Sequence, residues 1–106
     1  MNRLLKHYSV DVDFPNVSGI EHLEMLQIRD KLALEEESLS VEEKKLLKEA
    51  DQKLLKQAAL FHAELGRFVD LAQRRRDQEI PPSRWWWYLD VVTELPLPEA
   101  EQVKAS

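Results

Sequence analysis

The helical signal is strongest in residues 41–77, whose sequence is VEEKKLLKEADQKLLKQAALFHAELGRFVDLAQRRRD. Its apolar residues follow one another at steps of three and four, which is the spacing of one face of a helix and also of a coiled coil. They are Leu47, Ala50, Leu54, Ala58, Phe61, Leu65, Phe68 and Ala72. No proline interrupts the stretch. The spacing therefore predicts one continuous helix over residues 41–77, about 55 Å long at the α-helical rise per residue.

Both ends of this predicted helix carry the residues that helix ends favour. Ser40 and Glu43 fit a capping box, in which the serine oxygen accepts a free backbone N–H and the glutamate side chain reaches back to the serine backbone. Arg74, Arg75 and Arg76 lie in the last turn, where exposed carbonyl groups favour positive charge. Two prolines follow soon afterwards and oppose further helix.

The apolar face of the predicted helix is narrow up to Lys53 and broad over residues 54–72. Leu60 and Leu71 widen it on one flank, so this half needs neighbours on two sides. A chain of 106 residues has little material to cover both sides. The second half of the long helix is therefore expected to contact another protein or a second copy of the chain.

The N-terminal segment alternates apolar and polar residues from Tyr8 to Phe14, which is typical of a half-buried strand. No later segment alternates in this way, and a lone strand leaves its backbone groups unpaired. Residues 1–18 are therefore predicted to form an extended arm packed along the helices. The alternative is a strand that pairs with a symmetry mate or another protein.

The remaining segments predict two further helices and a tail. Ser18 and Glu21 form a second capping box, which opens a helix over about residues 19–37. The short connection of residues 38–40 predicts an antiparallel hairpin with the long helix. A shorter helix is predicted over residues 82–95, followed by a flexible tail at 96–106. The expected architecture is thus an all-α domain over residues 1–95, built on one long central helix.

Three consecutive tryptophans open the predicted C-terminal helix. Neighbouring residues on a helix point about 100° apart, so the three rings cannot all face one core. The polar side formed by Asp90, Thr93 and Glu94 predicts that Trp85 and Tyr88 point inward and that Trp86 and Trp87 flank the polar side, so that one or both are partly exposed in a monomer. These rings either cover the broad apolar face of the long helix, within one chain or across a dimer, or bind a partner.

The arginine run from Arg74 to Arg76 admits a second interpretation. Basic residues close to aromatic rings are the composition of single-strand nucleic-acid platforms. Asp70, Asp77 and Glu79 surround the run, however, and helix-end cations explain it without a ligand. Nucleic-acid binding is therefore the alternative hypothesis.

Composition narrows the classes of function. The net charge of −5 disfavours nonspecific adhesion to nucleic acid or anionic lipid, and no apolar run reaches membrane-spanning length. The cytoplasm is the expected location. The chain has no cysteine, and its three histidines occur singly, without the spacing of metal ligands. No catalytic residue, metal site or cofactor is predicted, and enzymatic activity is not expected.

The sequence thus predicts a non-enzymatic protein–protein interaction or assembly module, self-associating as a homodimer. Its partner-binding residues are predicted to be Leu60, Leu71, Arg74, Arg75, Arg76, Trp86 and Trp87. The alternative is a small nucleic-acid-associated regulator or an antitoxin-like protein, which masks a partner with a helical body and extended segments.

Overall fold

The computed structural model of the chain describes residues 2–92, which contain six α-helices and no strand. The helices are α1 (Arg3–Asp11), α2 (Gly19–Glu35), α3 (Val41–Lys56), α4 (Ala58–Leu65), α5 (Leu71–Gln78) and α6 (Leu89–Val92). Short 3₁₀ turns follow α2 at Glu36–Ser38 and precede α6 at Trp85–Trp87. The predicted all-α class is confirmed. The predicted tail at residues 96–106 lies outside the described residues.

The helices pack around one hydrophobic core. Helix α1 packs against α2 and α3, α2 also packs against α4, and α4 packs against α6. The larger side chains with no exposed surface include Leu5, Tyr8, Met25, Leu26, Leu32, Leu54, Phe61, Leu65 and Leu89. The helix predicted over residues 19–37 corresponds to α2 with its 3₁₀ turn. Its antiparallel arrangement with the following residues stays a prediction.

The prediction of an extended N-terminal arm is wrong, because Arg3–Asp11 forms helix α1. The Asn2 side chain caps this helix by accepting the Leu5 backbone N–H at 3.1 Å. Leu5, Tyr8 and Val12 follow helical spacing and are fully buried. A helix satisfies its backbone groups internally, which a lone strand cannot do, and this outweighs the alternating pattern.

The single helix predicted over residues 41–77 is also wrong, since three helices, α3 to α5, occupy this range. Gln57 interrupts the first two with φ −112° and ψ 22°. Helix α4 ends before Gly66, and the Asp70 side chain caps α5 by accepting the Gln73 N–H at 3.1 Å. The molecule measures 35 Å along its longest axis, so a straight helix of about 55 Å would carry much of its apolar face away from the core. Because of these breaks, α4 packs against α2.

The C-terminal helix predicted over residues 82–95 begins later than expected. Trp85–Trp87 forms a 3₁₀ turn, and Tyr88, with φ −116° and ψ 29°, separates it from α6. This turn changes the directions of consecutive side chains, so that two neighbouring tryptophans enter the core. Residues 93–95 of the predicted helix lie outside the described residues.

Candidate interaction surface

Trp86 and Trp87, of which one or both were predicted to be partly exposed, are both buried. Trp86 is 3% exposed and Trp87 is 2% exposed, whereas Trp85 and Tyr88 are half-buried and pack against the core. The prediction of an exposed tryptophan at these two positions is therefore wrong. Both buried indoles donate their Nε1–H to one oxygen, Oδ1 of Asp30 on α2, at 2.8 Å and 2.9 Å. A buried indole needs an acceptor, and a single carboxylate oxygen serves both rings.

A buried ion pair lies beside these rings. Arg29 on α2 donates to both carboxylate oxygens of Asp51 on α3 at 3.0 Å, and Tyr8 donates to the same carboxylate at 2.6 Å. The Arg29 guanidinium carbon lies 4.2 Å from the ring centre of Trp86, a cation–π distance. Burial alone would lower the pKa of Arg29, but the hydrogen bonds and charge of Asp51 raise it above its ordinary value. Arg29 therefore stays charged and joins three helices.

The arginine run also faces the protein itself. Arg75 donates to both oxygens of Asp90 at 2.6 Å and 3.1 Å, and to the backbone oxygen of Trp87 at 3.0 Å. The guanidinium carbon of Arg74 lies 5.5 Å from the ring centre of Trp87. Arg76 is exposed and donates to a neighbouring glutamine on α5. Two of the three arginines therefore fix the tryptophan turn to α5.

The seven predicted partner-binding residues consequently separate. Leu71 is buried, while Leu60 and Arg76 are exposed on different helices. The other four, Arg74, Arg75, Trp86 and Trp87, come together in one internal group. With the side chains that pair with or lie beside them, they form what we call the tryptophan–arginine cluster: Arg29, Asp30, Asp51, Arg74, Arg75, Trp86, Trp87 and Asp90. Whether any of the seven binds a partner stays a prediction.

A different part of the molecule exposes large apolar side chains. Phe14 is 54% exposed, Ile20 is 60% exposed and Phe68 is 56% exposed. All three surround the first turn of α2. Phe14 lines a cleft together with residues of that turn, Ile20 belongs to it, and Phe68 lies against Gly19. We call this surface, with the half-exposed Val10 of α1, the apolar end.

Gly19 is the residue that lets α4 approach this turn so closely. A Cβ atom at this position would meet the backbone oxygen of Glu64 and would lie 2.8 Å from Cδ2 of Phe68. No larger residue fits without displacing α4. The close approach places Phe68 against the first turn of α2, to which Ile20 belongs.

The cleft at the apolar end has an apolar wall and an acidic side. Val10, Phe14 and Val17 supply the apolar wall, and Asp11 and Glu21 supply the carboxylates. The cavity volume is about 220 Å³. It is therefore smaller than the roughly 300–1,000 Å³ of most small-molecule pockets. Its size suits a single side chain better than a cofactor.

His22 also lines the cleft, but it has a structural role. Its ring is buried, its Nε2 lies 3.0 Å from the backbone oxygen of Pro15, and it meets Phe61 edge to face at 4.6 Å between ring centres. These contacts fix the loop before α2 onto α4. His22 thereby holds the cleft in shape.

The electrostatic setting of Asp11 is unfavourable to its charge. Burial is the largest influence and raises the pKa of its carboxyl group, His7, 3.4 Å away, acts in the opposite direction, and the neighbouring Glu24 and Glu21 raise the pKa further. The Asp11 carboxylate therefore has a histidine and two other carboxylates in its surroundings.

The sequence patterns did not indicate that the residues of the apolar end are exposed. The alternating pattern assigned Val10 and Phe14 to the packed side of an arm, and the long-helix pattern assigned Phe68 to the core. Gly66 and the Asp70 cap were signals in the sequence that the helix breaks near Phe68. No sequence signal located Phe68 at the first turn of α2, because that proximity depends on the packing of α4 on α2.

Within residues 2–92, no group of three or more potential ligand side chains is arranged to hold a metal ion. Among the same residues, no helix has the length and apolar character needed to cross a membrane. The chain matches no protein-family model, and no curated protein or solved structure is significantly similar to it.

Proposed function

We propose that the protein is a non-enzymatic protein–protein interaction module whose contact surface is the apolar end. The observation that carries the proposal is the grouping of Phe14, Ile20 and Phe68, each more than half exposed, around one helix turn. Single exposed apolar residues are common on soluble proteins, but contiguous apolar surface marks sites of contact. Aromatic side chains also contribute most to binding energy at protein interfaces.

The burial of four other aromatic residues supports the apolar end as the contact surface. Trp86, Trp87, Phe61 and Tyr8 are buried by the fold. Within residues 2–92, Phe14 and Phe68 are left more than half exposed, so a partner that covered them would withdraw both rings from water. The proposed contact surface is therefore formed by the phenylalanines of the apolar end and not by Trp86 and Trp87.

The nucleic-acid alternative receives less support from the arginine run. Arg75 already pairs with Asp90, and Arg74 lies against Trp87, so both cations serve internal contacts. A phosphate would have to compete with these interactions. The protein partner is therefore the function we favour.

The test compares partner capture by matched variants. The tagged wild-type chain and the double variant Phe14→Ser/Phe68→Ser are copurified from native lysate, and bound proteins are identified by mass spectrometry. Light scattering measures the mass of each purified protein. The double variant is expected to lose the main captured protein, or to fall from dimer to monomer mass if that partner is a second copy.

The control is Leu34→Ser/Val41→Ser, which removes two apolar side chains that are even more exposed and lie away from the apolar end. It is expected to retain the partner. Equal capture and equal mass for the wild type and the Phe14→Ser/Phe68→Ser variant would contradict the proposal.

A further inference from the structure

The chemistry of the cleft restricts the partner that it can accept. Asp11 and Glu21 line the cavity beside the apolar wall of Val10, Phe14 and Val17. A purely apolar ligand would bury Asp11 further without pairing its charge, which costs free energy. A lysine or arginine side chain suits both the apolar wall and the carboxylates. Its methylene groups lie on apolar surface while its charged end reaches a polar group.

The cationic side chains near the cleft compensate its acidic side only in part. His7 approaches Asp11 at 3.4 Å from the same helix. Lys53 of α3 pairs with Asp13 at 3.1 Å. His22 directs its Nε2 to the Pro15 backbone oxygen rather than to a carboxylate. Burial is the main cause of the raised pKa of Asp11, and among its charged neighbours His7 lowers this pKa whereas Glu24 and Glu21 raise it.

We propose that the cleft binds a lysine or arginine side chain from a basic, amphipathic segment of a partner protein. The methylene stem lies on Val10, Phe14 and Val17, and the charged end pairs with Asp11 and Glu21. Apolar residues of the same segment cover Ile20 and Phe68. This inference rests on the proposed interaction function and specifies the partner's chemistry.

A second copy of the chain fits this surface less well. The chain carries a net charge of −5. Symmetric pairing of two apolar ends would bring the acidic residues of both copies, Asp11, Glu21 and Glu24, into one interface, because a two-fold interface uses the same patch on both sides. Like charges gathered at an interface weaken association. The acidic side therefore favours a basic partner over self-association.

The experiment uses a displayed library of random linear peptides as the probe. Peptides are selected on the full-length wild-type chain, and the affinities of the best binders are measured by fluorescence anisotropy. The variants are Glu21→Lys, Asp11→Asn and Phe14→Ser. The matched control is Glu49→Lys, which makes the same charge change at another exposed helical position. Circular dichroism verifies that each variant is folded.

Selected peptides are expected to be enriched in lysine or arginine next to large apolar residues. Glu21→Lys should weaken their binding about tenfold or more, and Asp11→Asn should weaken it to a smaller extent. Glu49→Lys should change binding by less than about twofold, because distant surface charges are screened. Replacing each basic residue of a peptide with glutamine should also abolish most of its affinity.

Three results would overturn the inference: no selected binders, binders without basic enrichment, or binders unaffected by Glu21→Lys. Peptides that lack basic residues and bind the wild type but not the Phe14→Ser variant would support the interaction surface and contradict only the inference of a basic partner. Failure of the proposed function itself is read separately, from the lysate capture with Phe14→Ser/Phe68→Ser.

Discussion

At the tryptophan–arginine cluster, Trp86 and Trp87 are buried, their indole N–H groups share an acceptor, and their faces meet guanidinium groups. At the apolar end, Phe14 and Phe68 expose more than half of their surface. Both regions contain large aromatic rings, yet within residues 2–92 the first region buries its rings whereas the second leaves them more than half exposed. Aromatic content therefore does not locate a binding surface unless the internal partners of each ring are known.

Truncation of one ring from each region should separate the two roles most clearly. Trp87→Ala is expected to lower the free energy of unfolding by about 3–5 kcal/mol, because it empties a filled core position. Phe14→Ala is expected to change it by about 0.5 kcal/mol or less, since the ring is half exposed. Urea unfolding followed by circular dichroism measures both. Similar losses for the two variants would contradict the division into a structural cluster and a free end.

Breaking the Arg29–Asp51 pair should produce the next largest effect. Asp51→Leu leaves a buried guanidinium without its carboxylate and is expected to cost about 3 kcal/mol. Adding Arg29→Met should recover part of that loss, because both buried charges are then absent. The same urea measurements on the two single variants and the double variant give the coupling energy. Strictly additive losses would show that the pair does not act as a unit.

The shared acceptor of the two indoles gives a smaller effect with a spectroscopic signal. Asp30→Ala leaves two buried N–H groups without an acceptor and is expected to cost about 2 kcal/mol. Asp30→Asn keeps a carbonyl oxygen at this position and should retain most of the stability. Tryptophan emission should move to longer wavelength in Asp30→Ala if water enters the turn. Unchanged emission and stability would show that other acceptors replace Asp30.

The sequence predicted the parts of the fold that depend on local signals. The Ser40–Glu43 capping box forms as expected, with both of its hydrogen bonds, and α2 begins directly after Ser18. The all-α class followed from composition and spacing. These features depend on residues a few positions apart, so a single sequence specifies them.

Features that depend on distant contacts were not predictable in the same way. Residues 41–77 have an unbroken helical pattern, yet packing against α2 divides them at Gln57 and near Gly66. The burial of Trp86 depends on Asp30, which is far away in the sequence. The candidate cleft combines residues of α1, a loop and α2. The periodicity of the sequence gave no information on these tertiary contacts, although Gly66 and Asp70 were local signs of a helix break.

Asp90 in the tryptophan–arginine cluster and Asp11 at the cleft should have opposite effects on the pH dependence of stability. Burial alone would raise the pKa of Asp90, but the hydrogen bonds and charge of Arg75 outweigh it and lower the pKa below its ordinary value. A lowered folded-state pKa adds stability above the unfolded pKa of about 4, and this stability is lost as pH falls through the folded-state value. Asp90→Asn should therefore destabilise the protein at neutral pH, and the difference from wild type should disappear in acid.

Replacing Asp11 at the cleft should change stability at neutral pH in the opposite direction. Burial and the neighbouring Glu24 and Glu21 raise its pKa, so its charged form costs stability at neutral pH. That cost decreases as pH falls from the raised value towards the unfolded pKa of about 4. Asp11→Asn should therefore stabilise the free protein at neutral pH and become neutral in acid, as measured by thermal unfolding across pH. A destabilised Asp11→Asn variant at neutral pH would mean that His7 compensates the charge, and the cleft would then offer less attraction to a cation.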